Sequence, residues 1–211
     1  MKKFVPIILL IISLVCVSLY YKDYIIQVRI INNLKTIDKI SKYKKINENV
    51  VSYIKIKGTK VDFPVVQYKD NDYYLKHSFD NSKNKYGWIF MDYRNDSFND
   101  NNTIIYGHTI DNKLMFASLK NILNDNSIDE IEIYEDGKIF KYKVFSVYII
   151  DPVNDYLRIN FPPEEYKMFL SDIKKRSIYN YDITPNENNK ILTLSTCYKE
   201  EKRLVIHAVK E

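Results

Sequence analysis

Glycine and proline are scarce in this chain, four and six among 211 residues, which argues against disordered or collagen-like sequence and for an ordered domain. Cysteine is nearly absent. Cys16 and Cys197 lie far apart in different surroundings, so no disulfide framework is expected. There are three histidines, no two of them at metal-ligand spacing, and no Cys-rich or His-Glu cluster. No metal site and no cofactor are therefore expected. Excess charge is small as well: removing Lys2 and Lys3 of the terminal flank from the net +5 leaves +3 (5 − 2 = 3). No arginine-rich or aromatic-interleaved stripe concentrates it, so no nucleic-acid partner is expected.

What is abundant is tyrosine, 19 residues, with 10 phenylalanines and many Ile and Val, a composition that favours strands. One long apolar run exists, residues 4–21 (FVPIILLIISLVCVSLYY), preceded by Lys2 and Lys3. It is about long enough to cross a hydrocarbon core of roughly 30 Å. A cleaved signal peptide would have a shorter apolar stretch ending in small residues, and a buried core helix would lack the charged terminal flank. The expectation is an uncleaved single-pass anchor in the cell membrane, with the N-terminus cytoplasmic and everything after Lys22 extracellular. The chain then divides into a flank and anchor (1–21), a helical juxtamembrane segment (22–46) and a catalytic domain (47–211).

In that second segment Ile26, Ile30, Leu34, Ile37 and Ile40 recur at helical spacing, which predicts an amphipathic helix or helix pair packing on the domain. From Val50 short β-type runs take over: 50–56, 60–67, 87–91, 102–106, 128–134, 138–150, 191–196 and 203–209. Turn signals separate them, and Glu135-Asp136-Gly137 reads as a hairpin loop. Many short strands and few helices predict a mainly β barrel or sandwich. Pro162-Pro163-Glu164-Glu165 opens one helix running to about Lys175. That helix lies in a long excursion, 151–190, of a size that tends to build lids or binding walls.

Cys197 is the residue that raises the question of chemistry. A leftover thiol outside the cell is a candidate nucleophile, and it could equally be a buried, inert small hydrophobe. Residues 191–209 read as a hairpin with Leu192 and Leu194 on the core face and Thr193, Ser195 and Cys197 on the other. If 198–202 form the loop, Cys197 opposes Arg203, and opposed Cβ atoms lie about 5 Å apart. A guanidinium there favours the thiolate and can hold an oxyanion, which suits acyl transfer. His108, just past the run Thr103–Tyr106 and Gly107, is the best placed acid–base group. His77 reads as a surface residue and His207 as a structural strand histidine. Asp92, Asp96 and Asp100 lack the EF-hand pattern and read as a solvated loop.

Thr193-Leu194-Ser195-Thr196-Cys197 followed by Arg203 resembles the TLxTC and downstream Arg signature of sortases, and Ile105-Tyr106-Gly107-His108 resembles their catalytic His segment. Residues 63–67 (FPVVQ), 70–75 (DNDYYL), 89–95 (IFMDYRN) and Met115-Phe116 look like class B. The resemblance covers roughly residues 50 to 211. It implies a closed sortase-type barrel of about eight strands, with an N-terminal helical segment and one helix in the long loop before the Cys strand. It further implies a cysteine transpeptidase in which Cys197 is the nucleophile, His108 the general acid and base, and Arg203 the oxyanion or substrate-positioning group. The substrate would be a surface protein bearing a sorting motif similar to NPxT(N/G), passed to an amine of peptidoglycan or its lipid-linked precursor. Asn71, Leu75, Tyr106 and Ser195 match positions lining the class B peptide groove. An L,D-transpeptidase-like wall enzyme is the competing enzyme, though Ser195-Thr196 precedes Cys197 without the usual Gly. A papain-like hydrolase would have its Cys before its His and at a helix start. A non-enzymatic anchored surface domain is the remaining alternative.

Overall fold

The computed structural model describes residues 13–18, 21, 40–109, 115–199 and 201–211. Eight strands carry the fold: β1 (Val50–Ile56), β2 (Asp62–Val66), β3 (Phe90–Met91), β4 (Asn102–Tyr106), β5 (Glu130–Glu135), β6 (Lys138–Ile150), β7 (Ile191–Cys197) and β8 (Arg203–Lys210). They close into a barrel in the order β1-β2-β3-β4-β7-β8-β6-β5. The strands alternate large apolar residues, and the inward set, including Ile54, Val65, Ile105, Ile131, Val144, Leu192, Leu194 and Ile206, forms one continuous core. β5 and β6 are joined through Asp136 and Gly137 at φ 44° and 73°. Two consecutive positive φ values give the primed turn whose twist matches the flanking strands.

A short helical turn, α1 (Ile122–Asp125), precedes β5, and α2 (Pro163–Lys175) occupies the excursion between β6 and β7. Pro163 needs no amide partner at the first helical position, and Glu164 and Glu165 sit where the helix dipole favours negative charge. The apolar stripe Tyr166, Leu170 and Ile173 closes over the outer face of the barrel, against Phe145, Ile191, Val205 and Val209. The alternation along β7 gives its two faces correctly, but both are covered. Thr193 and Ser195 are as fully buried as Leu192 and Leu194.

A third apolar cluster joins Val50, Val66, Tyr74 and Phe90 to Ile40 and Tyr43 of the short helical stretch 40–44. The Tyr43 ring stacks on Tyr53 at 5.7 Å and meets Phe79 edge-on at 5.8 Å. The rest of the helix expected over 22–45, with Ile26, Ile30, Leu34 and Ile37, lies outside the described residues. The apolar run 4–21 is described only over 13–18, which are helical, and at Tyr21. Among the described residues no helix is long and apolar enough to cross a membrane. A span needs about 20 apolar residues. The single-pass arrangement expected from that run, cytoplasmic N-terminus and extracellular domain, is therefore not supported.

Candidate active site

β4 and β7 run parallel in the middle of the barrel wall, with Tyr106 paired to Ser195 at the rim. The pairing continues past the last formal pair, because the Gly107 amide donates to the Ser195 carbonyl at 3.3 Å. Two residues further along each strand stand His108 and Cys197. Hydroxyls lock these strand ends: Thr196 Oγ1 donates to the Gly107 carbonyl at 2.6 Å, and Thr109 Oγ1 to the Cys197 carbonyl at 2.9 Å. Only glycine fits at 107, since a Cβ there would lie 2.6 Å from the Phe116 ring.

Cys197 is exposed at the end of β7 and pairs with Arg203 at the start of β8. The connecting loop closes on itself through Tyr198 N donating to the Lys202 carbonyl at 2.7 Å. Arg203 Nη1 donates to the carbonyls of Glu201 and Lys202 at 2.5 and 3.2 Å, which ties the guanidinium to that loop beside the thiol. Nε and Nη2 make no hydrogen bond among the described residues. The positive charge reaches far enough to oppose the upward push that burial exerts on the Tyr156 phenol.

The His108 ring is half-buried. Burial lowers its pKa, partly opposed by a hydrogen bond to the Leu75 backbone carbonyl. Nε2 is buried and has no hydrogen-bond partner among the described residues. The turn carrying Leu75 is held close by Gly87. A Cβ at that position would lie 2.2 Å from the Tyr74 carbonyl and 2.9 Å from His108 Cδ2.

Cys197, His108 and Arg203 line one cleft of about 290 Å³ together with Asn71, Leu75, Tyr106 and Ser195. Every site residue expected from the sequence therefore lines this one cleft. The opposite wall comes from the excursion before β7: Pro152, Val153, Asn154, Tyr156 and Leu157. The excursion's length marks it as a wall, while its individual residues carry no motif. Tyr156 OH lies 3.0 Å from Ser195 Oγ, so that contact joins wall to floor.

Two expectations change, and a third goes further than the sequence indicated. Asp92 and Asp100 are buried, not part of a solvated loop. Asp92 is fully enclosed with Arg94, Tyr106 and Asn71 as partners, and Asp100 takes Asn95 Nδ2 and Asn160 Nδ2 at 2.9 and 2.7 Å. His77 is half-buried instead of a free surface residue, stacked on Tyr73 at 4.0 Å with Nδ1 2.8 Å from the Tyr73 carbonyl. His207 is structural, as expected, and more deeply so than a strand position requires. It is sealed under α2 between Tyr148 OH and Thr193 Oγ1, each at 2.8 Å, and burial pushes its pKa down to about 3.

A closed eight-stranded barrel with an exposed thiol in a walled cleft at the joined ends of β4 and β7 defines a β-barrel with a candidate cysteine site. A sortase domain model matches residues 54–211. The chain is 38% identical over 174 residues to sortase B of Staphylococcus aureus, covering 78% of this chain and 71% of that one. It is 36% identical over 169 residues to sortase B of Listeria monocytogenes, covering 78% and 69%. The crystal structure of Clostridium perfringens sortase B superposes with a TM-score of 0.78 at 36% identity, over 81% of this chain and 98% of that one. A Staphylococcus aureus sortase B–substrate complex matches with a TM-score of 0.77 at 33% identity, over 82% and 85%. The chain belongs to the sortase family of transpeptidases, in its class B.

Proposed function

We propose that residues 47–211 form the catalytic domain of a cysteine transpeptidase that cleaves an NPxT(N/G)-like sorting motif after Thr. The observation that carries this reading is the convergence of Cys197, His108 and Arg203 on one cleft. The His108 imidazole accepts the thiol proton, and Cys197 Sγ forms a bond to the Thr carbonyl carbon. Arg203 holds the oxyanion that develops there. The C–N bond to the following residue then breaks, His108 returns its proton to the departing amine, and a thioacyl enzyme remains. An amine of peptidoglycan or its lipid-linked precursor next attacks the thioester. His108 removes the proton from that amine, and Cys197 leaves as the thiolate. No metal or cofactor takes part in any step.

Asn71, Leu75, Tyr106 and Ser195 hold the peptide along the cleft. A cleft bounded on both sides suits an extended chain whose backbone is fixed before reaction, which is how positioning lowers a barrier. The related Staphylococcus aureus sortase B, solved as a substrate complex, supports a substrate for this chain as well; the proposed substrate is a surface protein bearing a sorting signal. The test is mass spectrometry of the protein incubated with a small library of sorting peptides, with and without an amine acceptor. Cleavage after Thr, a thioacyl adduct on Cys197 and an amine-linked product are expected. Cleavage elsewhere in the peptides, or product formation with no adduct on Cys197, would contradict the reading.

A further inference from the structure

A buried carboxylate beneath the cleft serves none of the steps above. Asp92 is fully enclosed, yet its two oxygens accept five hydrogen bonds. Oδ1 takes Arg94 N and Nε at 3.0 and 2.9 Å. Oδ2 takes Arg94 Nη2 at 2.8 Å, Asn71 Nδ2 at 3.0 Å and Tyr106 OH at 2.9 Å. Five donors leave no place for a carboxyl proton. Burial raises the pKa of this group, but the bonds from Arg94 and Tyr106 outweigh it and hold the carboxyl below the usual carboxylate range.

A buried ion pair is weak evidence for stability, since apolar residues of the same volume often do as well, so its partners are the informative feature. They lie on different sides of the cleft. Asn71 belongs to the wall that carries Leu75, and its Oδ1 is itself fixed by the Tyr93 amide at 3.0 Å. Tyr106 is the floor. Arg94 Nη2 continues to the Leu157 carbonyl at 2.9 Å, on the opposite wall. One bidentate pair therefore connects wall, floor and wall. Beside it the cleft continues into a smaller cavity lined by Asn71, Tyr93, Arg94, Tyr106, Asn154 and Leu157.

We propose that Asp92 and Arg94 form a clasp that sets the distance between the two walls and fixes the Asn71 and Tyr106 side chains where they line the cleft beside the bound peptide. Both are positioning residues: neither touches the reacting atoms. This rests on the reading of the cleft as a sorting-peptide site. The Cys197 thiol does not need the walls to meet a small reagent, so the clasp acts on peptide binding and not on thiol reactivity.

The test compares wild type with Asp92→Asn, Arg94→Lys and Arg94→Ala by peptide turnover, by iodoacetamide alkylation of Cys197, and by hydrogen–deuterium exchange of residues 152–157. Arg94→Ala takes both side-chain guanidinium donors from the buried Asp92 carboxylate and is expected to lower the melting temperature, so Arg94→Lys, which keeps the charge, is the second variant and circular dichroism accompanies each. Arg94→Ala is expected to lower kcat/KM by roughly tenfold or more, mainly through KM, with alkylation within about twofold of wild type. Arg94→Lys does not rescue, because an ammonium cannot span Asp92 and Leu157 together. Exchange at 152–157, where the Leu157 amide donates to the Asn154 carbonyl, is expected to quicken. Unchanged KM, or unchanged exchange, overturns the clasp. A wild type that turns over no peptide contradicts the functional reading instead, and the exchange comparison still decides the clasp.

Discussion

Cys197 and Arg203 are the terminal antiparallel pair of β7 and β8, so their side chains leave opposed backbone positions at the rim of a closed barrel. Their spacing is set by backbone pairing on either side of a five-residue loop, and no side-chain contact is needed to hold it. The Arg203 fork is anchored by one nitrogen to the loop carbonyls, which leaves the others for an oxyanion. Arg203→Lys keeps the charge and loses that planar fork. Peptide kcat/KM is expected to fall by roughly 100-fold or more, as when an oxyanion donor is removed. Near-normal rates would assign Arg203 to structure alone.

His108 is held below the ordinary imidazole range by burial, with the Leu75 carbonyl opposing part of the shift. The free enzyme therefore carries a neutral imidazole at neutral pH, able to accept the thiol proton. A pH profile of kcat/KM is expected to have its acid limb below 6.5, the ordinary value for histidine, with activity falling as pH drops through it. A limb above 6.5 would show that the imidazole is stabilised as the cation.

His207 links protonation to stability. Its folded pKa of about 3 lies below the unfolded value of 6.5, so the unfolded chain binds the extra proton. The stability is present above pH 6.5 and is lost as pH falls towards 3. Between pH 6.5 and 4.5 the loss from this group is on the order of 2–3 kcal/mol. Urea unfolding at the two pH values should show a smaller difference in His207→Gln than in wild type. An equal difference would mean that His207 is not buried neutral.

Gly87 sits at φ 57° with the Tyr74 carbonyl and the His108 ring against its α-carbon. Gly87→Ala is expected to cost roughly 3 kcal/mol or more through left-handed strain and overpacking. Because the displaced groups are the turn and ring that orient His108, turnover should fall in the protein that remains folded. A variant of unchanged melting temperature and unchanged rate would contradict this packing.

Much of the barrel was legible because its strands obey one rule. β1, β4 and β6 begin and end where the β-branched runs do, and the Asp-Gly turn joins β5 to β6 as its residues require. β3 is shorter than the apolar run from 87 to 91. Gly87 takes a positive φ, and the Trp88 amide is drawn to the Tyr74 carbonyl, so pairing starts only at Phe90. The cleft's reactive corner was legible for a similar reason, since a hairpin register alone brings Cys197 to Arg203.

Two features were not legible. Alternation says which way Thr193 and Ser195 point, but not that α2 returns from a distant stretch of chain to cover them. Asp92 was disguised by its neighbours. A run of Asn and Asp reads as solvated, and only the fold shows that Arg94, Tyr106 and Asn71 converge on that one carboxylate.

The most direct test is turnover of an NPxTG-type peptide by Cys197→Ala, with circular dichroism to establish that the barrel is intact. Replacing an exposed strand-end thiol should leave the spectrum unchanged. No detectable cleavage by this folded variant is the expected result. Cleavage at a rate near wild type would mean that Cys197 is not the nucleophile.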